Sequence, residues 1–234
     1  MELFAVKYGE SYYDEKYIYH DMASSNGKTK FMWMFYLAKY QEKILLFDTG
    51  FRDATLAATY QLERKEINRE LQNIVGGPLK ADVVFLTHSH FDHIGNLDLF
   101  EHSEIIISEK EYRTALEKCS EPVKNRLKSN RVIRVKEQYL FEEKFNFKVI
   151  GGHTFGSSVI YFKENGKHYV LTGDECYMCD NLTQLRPIGD FTDLQKNKKF
   201  IENTYENRII PLPFHDGKIF ETYKHVSENI AQII

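Results

Sequence analysis

The chain has 234 residues, 42% hydrophobic and 28% charged, with a formal net charge of −3. That is enough to bury one substantial core, and a single domain over residues 1–234 is expected. The small charge gives no electrostatic reason to expect a nucleic-acid or membrane-surface partner. No apolar run approaches the roughly 20 residues that span a bilayer, and the opening stretch MELFAVKYGESYYDEKY lacks the pattern of a signal peptide. Only Cys119, Cys176 and Cys179 are present, so no disulfide framework is expected, and a cytoplasmic setting follows.

Short apolar runs alternate with polar, helix-like stretches, which predicts a mixed α/β architecture with no linker or repeat. Lys30–Tyr40 reads as an aromatic-rich strand, Gln41-Glu42-Lys43 as a turn, and Ile44–Phe47 as a second strand ending at Asp48-Thr49-Gly50. Asp53–Ile74 reads as one helix, because Leu56, Tyr60, Ile67, Leu71 and Ile74 recur at helical spacing before Gly76-Gly77-Pro78. Asp82–Leu86 is a buried-type strand, Ile105–Ile107 another, and Glu109–Lys118 a helix. Strands follow at Val132–Val135, Phe145–Ile150, Val159–Phe162 and Tyr169–Leu171, then a helix at Phe191–Glu202, a strand at Arg208–Pro211 and a last helix at Phe220–Ile233. KILLFDTG (43–50) and KHYVLTGD (167–174) echo each other, which fits either a duplication or a common strand-to-turn habit.

The strand Asp82–Leu86 runs straight into THSHFDH, residues 87–93. On an extended segment the His88 and His90 rings point to one side, and Asp92 and His93 follow where the chain turns toward a helix. Imidazole and carboxylate are the donors that Zn²⁺ and similar divalent ions prefer, and three histidines with an aspartate at this spacing predict a metal site. Further donors stand just beyond other apolar runs: His153 in GGHTFGSS, Asp174 in LTGDE and His215 in PLPFHDG. His20, His102, His168 and His225 lie in polar surroundings and read as surface residues. The lone pair Cys176/Cys179 reads as incidental spacing, although its closeness to Asp174 leaves Cys176 open to oxidation or metal.

HSHFDH, GGHTFGS, TGD and PFHD, in this order and preceded by DTG at 48–50, resemble the metallo-β-lactamase-fold hydrolase superfamily over about Phe31 to His215. The resemblance implies a four-layer αββα sandwich, in the α+β or α/β class, with a dinuclear site at the edge of the sheets. By position, it implies that His88, His90 and His153 hold one metal, that Asp92, His93 and His215 hold the second, and that Asp174 bridges them. Asp48 would orient a ligand imidazole, or be an ordinary turn residue at a strand end. The expected cofactors are two divalent ions, Zn²⁺ first, with Fe, Mn or Co as alternatives. Such a pair can share a water and lower its pKa to give hydroxide, so hydrolysis without a protein nucleophile is expected.

Within that superfamily, His93 and Asp174 depart from the true β-lactamases, and His90 departs from the diiron flavoproteins, which carry Glu there. The short stretch after His215 leaves no room for the helical domain of glyoxalase II, and no nuclease arm or basic surface is evident. What remains resembles the N-acyl homoserine lactonase branch, through Phe91 in HSHFDH and through Tyr177 three residues after Asp174. Asp92 and Tyr177 are therefore the candidate catalytic residues, with Tyr177 placed to donate to a lactone carbonyl as charge develops. Phe31–Tyr36 is expected to be sheet core or the wall of an acyl pocket. The substrate expected is a small ester or lactone. A phosphodiesterase or thioesterase of the same fold, or a non-catalytic metal-binding sensor, stands as the alternative, and the oligomeric state is left open.

Overall fold

The computed structural model describes residues Met1–Ile234. Its two longest strands, β1 (Glu2–Asp14) and β2 (Lys28–Tyr40), pair antiparallel with a bulge between Lys7 and Gly9. Side chains alternate across a strand, so each of these strands feeds two cores. Phe4, Val6, Phe31, Trp33 and Phe35 face one, and Leu3, Ala5, Met34, Tyr36 and Ala38 the other. The same sheet continues with β3 (Lys43–Phe47), β4 (Glu63–Arg64), β5 (Val83–Leu86), β6 (Glu104–Ser108) and β7 (Val132–Val135). A second, five-stranded sheet holds β8 (Gln138–Phe141), β9 (Phe145–Val149), β10 (Ser158–Glu164), β11 (Lys167–Leu171) and β12 (Ile210–Leu212). The chain then returns to the first sheet as β13 (Lys224–His225) and β14 (Ile230–Gln232).

The first sheet runs in the order β13-β14-β1-β2-β3-β5-β6-β7, with β4 beside β1. Its β3, β5, β6 and β7 are mutually parallel, and in the second sheet β11 and β12 are parallel. Between the sheets lies a core built by both, with Phe47, Phe85 and Tyr36 from one against Phe145, Phe147 and Ile160 from the other. The outer face of the first sheet is covered by helices carrying Leu71, Ala115 and Leu127. The outer face of the second is covered by the helix Leu194–Glu206 through Phe200 and Ile201. The result is the four-layer αββα sandwich expected, and no helix is long and apolar enough to cross a membrane.

Two expected helices are corrected. Asp53–Ile74 is not one helix but two, Ala54–Thr59 and Asn68–Val75, with β4 between them. Gln61 takes a left-handed backbone (φ 51°), and Glu63 and Arg64 then pair with Glu10 and Gly9 at the bulge of β1. Leu62 lies directly over Gly9, where any Cβ would collide with it. Phe220–Ile233 is helical only over Lys218–Thr222, and its second half forms β13 and β14. Ile230 and Ala231 fill opposite cores, which adjacent residues achieve in a strand, and β14 supplies β1 with the partner its edge needs.

The helix expected at Phe191–Glu202 starts later, where the Asp193 carboxylate accepts from Lys196 N at 3.1 Å, and runs to Glu206. The strands β1 and β8 and the helix Glu121–Leu127 add to the expected elements. The two echoing segments lie on different sheets as β3 and β11.

Candidate metal centre

Five chain segments deliver polar side chains to one edge of the sandwich. Asp48 follows β3, and Thr87 to His93 follow β5. His153 sits in the loop between β9 and β10, Asp174 follows β11, and His215 follows β12. Strands parallel to one another place the residues beyond their carboxyl ends side by side, so four of these segments meet because the topology aligns them.

The side chains fall into two groups. His88, His90, His153 and Asp174 each place one donor atom within 4.8 Å of the others, and so do Asp92, His93 and His215. Asp174 faces both. Its Oδ1 lies 3.1 Å from His93 Nε2 and 3.1 Å from His215 Nε2, while Oδ2 lies 3.6 Å from His88 Nε2 and 3.5 Å from His153 Nε2. Asp92 Oδ2 lies 3.3 Å from His93 Nε2.

The outer ring nitrogens explain why the inner ones point this way. His153 Nδ1 donates to the Asp190 carbonyl and His215 Nδ1 to the Met32 carbonyl, each at 2.8 Å. His93 Nδ1 meets Asp48 Oδ2 at 2.7 Å. Thr87 gives its hydroxyl hydrogen to Asp48, which leaves its oxygen to accept from His88 Nδ1 at 3.1 Å. With Nδ1 protonated in all four, Nε2 presents a lone pair to the centre. Asp48 is thus an orienting group, itself fixed by Thr87 N and Oγ at 2.7 Å each.

Fit to a cation is shown by two atoms in particular. His88 Nε2 and His93 Nε2 are buried without a hydrogen-bond partner. A buried, unpaired polar atom costs on the order of 1–3 kcal/mol, and a divalent ion is the partner that a set of imidazole and carboxylate donors accepts. The electrostatics agree. Burial opposes charge on His93, but Asp92, Asp174 and Asp48 outweigh it and hold that imidazole well above its ordinary range. Burial and then the neighbouring His93 hold His88 well below it. The excess of negative charge around His93 is what a cation would neutralise.

Tyr177 is buried and lines a chamber of about 280 Å³ together with Asp92, Asp174 and His90. Its ring centroid stands 5.7 Å from that of His215 and 5.8 Å from that of His153. Burial pushes its phenol well above the ordinary value, so the hydroxyl stays a proton donor. Phe31 and Trp33 line the same chamber, while Met34 and Tyr36 point into the core between the sheets, so the segment is chamber wall and sheet core on alternate residues. A larger cavity of about 890 Å³ meets the chamber at His90, Phe91 and Asp190.

Two buried carboxylates escape sequence reasoning. Glu111 Oε2 accepts from Ser89 N at 2.8 Å, and its Oε1 accepts from Thr154 Oγ1 at 2.7 Å and Gly156 N at 3.0 Å. It therefore ties the His88/His90 loop to the His153 loop. Glu175 Oε1 accepts from Gly152 N at 2.8 Å and His153 N at 3.1 Å, and Oε2 from Asn197 Nδ2 at 3.0 Å. The adjacency of Glu175 to Asp174 is the one sequence signal that pointed to it.

Other expectations divide. His102, His168 and His225 are exposed, whereas His20 is half-buried against Phe191. Cys176 is fully buried and its thiol is pushed well up by burial, so the exposure to oxidation or metal expected from its position is corrected. Its partner in the motif, Cys179, is also a free thiol.

Residues 34–199 match the model of the metallo-beta-lactamase superfamily. A probable metallo-hydrolase of Methanocaldococcus jannaschii is 31% identical over 145 residues, 62% of this chain and 61% of that protein. Metallo-beta-lactamase domain-containing protein 1 of Xenopus laevis is 44% identical over 45 residues, 19% of each chain. The matched segments thus span less than two thirds of either relative. Among solved structures, a quorum-quenching N-acyl homoserine lactone lactonase superposes with a TM-score of 0.79 at 19% identity, over 96% of both chains. A probable metal-dependent hydrolase from Staphylococcus aureus superposes with a TM-score of 0.77 at 17% identity, over 99% of this chain and 96% of that one. At such identities these two likenesses show the shared fold.

Proposed function

This chain belongs to the metallo-beta-lactamase superfamily, and from that premise we propose that it is a dinuclear metal-dependent hydrolase acting on a small ester or lactone. The observation that carries the dinuclear reading is the division of Asp174, one oxygen toward His93 and His215 and the other toward His88 and His153. His88, His90 and His153 would hold one cation, Asp92, His93 and His215 the other, and Asp174 both. When bound, such a pair lowers the pKa of a shared water and polarises the substrate carbonyl.

The chain's own residues supply the rest. Asp48, Thr87 and the carbonyls of Met32 and Asp190 keep the imidazoles in the metal-binding tautomer. Asp92 commits Oδ2 to the His93 side, which leaves Oδ1 to take the proton shed as water attacks and to return it to the departing alkoxide. Tyr177 donates its hydroxyl hydrogen to the carbonyl oxygen as that oxygen gains charge. The lactone assignment draws support from a structure of similar fold, an N-acyl homoserine lactone hydrolase with its product N-hexanoyl-L-homoserine bound at the catalytic metal centre.

A panel of lactones, simple esters, thioesters, phosphodiesters and β-lactams, assayed with metal-replete and chelated protein, tests the reading. Chelator-sensitive turnover highest on lactones or esters is expected. Phosphodiester or thioester turnover that exceeds it would replace the substrate class, and no turnover of any class would leave a metal-binding sensor. Tyr177→Phe should lower kcat on the preferred substrate by about 10²-fold, the low end for loss of one oxyanion donor. An unchanged kcat would remove Tyr177 from the mechanism.

A further inference from the structure

Six aromatic side chains, Tyr13, Phe31, Trp33, Tyr60, Phe91 and Tyr177, wall the chamber over the metal ligands, and no lysine or arginine lines it. Centroid separations of 4.7 Å for Tyr13–Phe31, 5.5 Å for Trp33–Tyr60 and 5.0 Å for Tyr60–Phe91 make the wall continuous. Three carboxylates share this space: Asp92, Asp174 and Asp190. The first two face the histidines. Asp190 serves His153 only through its backbone carbonyl, and its carboxylate has neither an ion-pair nor a hydrogen-bond partner. Burial first, then the charge of Asp92, with a smaller contribution from Asp190, holds the Tyr13 and Tyr60 hydroxyls above their ordinary value.

A free carboxylate beside aromatic faces is the combination that holds an organic ammonium: the ring quadrupoles attract the cation and the carboxylate neutralises it. A long acyl chain threaded past Asp190 would instead strip water from an unpaired charge, which is costly. We infer that the substrate carries an ammonium group beside the ester or lactone that is cleaved, seated between Asp190 and the Tyr13–Tyr60 side of the chamber. This placement, which rests on the hydrolase reading above, sets the ammonium at the junction with the larger cavity. At about 280 Å³ the chamber suits a compact molecule, near the lower limit of about 300 Å³ for small-molecule sites.

The test compares matched substrates on the metal-replete full chain. Acetylcholine is set against its neutral isostere 3,3-dimethylbutyl acetate, and L-homoserine lactone against γ-butyrolactone, which separates a quaternary from a primary ammonium. Tetramethylammonium is titrated calorimetrically as a probe that cannot be hydrolysed. A cationic-over-neutral kcat/KM ratio of about tenfold is expected in at least one pair, together with tetramethylammonium binding. Asp190→Asn should bring the ratio toward one and abolish that binding at unchanged metal content, and Tyr60→Leu should lower both in part. Neutral substrates turned over with no cationic preference would overturn the inference and leave the hydrolase reading intact. Tetramethylammonium binding with no ester or lactone turnover would uphold the cation site and remove the substrate reading. A group that only offsets metal charge would, on Asp190→Asn, loosen the metals and leave the ratio unmoved, and that result too would overturn the inference.

Discussion

The two halves of the metal centre are braced in different ways. On the His88/His90/His153 side, buried carboxylates grip the loop backbone: Glu111 holds Ser89, Thr154 and Gly156, and Glu175 holds Gly152 and His153. Rings are gripped on both sides: Thr87 takes His88 Nδ1 and the Asp190 carbonyl takes His153 Nδ1, and the Asp92/His93/His215 side adds an aromatic stack. Asp48 takes His93 Nδ1, the Met32 carbonyl takes His215 Nδ1, and Phe31 stacks on His215 with centroids 4.0 Å apart and planes 16° apart. The reason lies in the fold. Ser89 and His153 lie in irregular stretches whose backbone N–H groups need outside acceptors, whereas His93 sits in a helical turn, Phe91–Ile94, that satisfies its own. Both halves fix their rings through Nδ1, and the His88/His90/His153 half adds carboxylate clamps on its loop backbone.

Substitutions should separate the two modes. Asp174→Asn removes the group both halves share, so metal content measured by mass spectrometry should fall below two ions per chain, with loss of activity. Retention of two would break the account of Asp174 as the link. Asp48→Ala should weaken metal binding about 10- to 100-fold, the usual cost of losing an orienting partner, with the deficit on the His93 side. Equal weakening at both sites in a chelator competition would erase the contrast.

Glu111→Gln turns an acceptor into a group that is partly a donor, facing N–H and O–H donors. Mismatching a buried hydrogen-bonded carboxylate costs about 1–3 kcal/mol, expected here as lower stability in urea with and without metal. An effect seen only in the metal-bound form would make Glu111 part of the metal site and not of the loop. Phe31→Leu loses an aromatic stack worth about 1 kcal/mol, so it should raise the dissociation constant on the His215 side only several-fold. A change larger than that of Asp48→Ala would invert the order.

The same contrast bears on what a sequence reveals. All seven proposed ligands could be picked out in advance, because histidines and aspartates immediately beyond apolar runs have few other reasons to be there. The four-layer order was legible through the family motifs, and most central strands through their apolar runs. Glu111 was not legible, since in SEKEYRTAL a buried clamp and a solvated helix carboxylate look alike; only the depth at which the helix Glu109–Lys118 meets the loops distinguishes them. The false helices at 53–74 and 220–233 share one cause. Apolar residues that satisfied helical spacing were in fact shared between two short helices and between the faces of edge strands, and the bulge and free edge of β1 decided the outcome. That long-range partner is invisible in a local window.

Anomalous diffraction at the zinc edge, from crystals of the zinc-loaded protein, tests the central claim most directly. Two peaks on opposite sides of the Asp174 carboxylate are predicted, one among His88, His90 and His153 and one among Asp92, His93 and His215. A single peak at full occupancy, or Asp174 turned wholly toward one side, would contradict the dinuclear account.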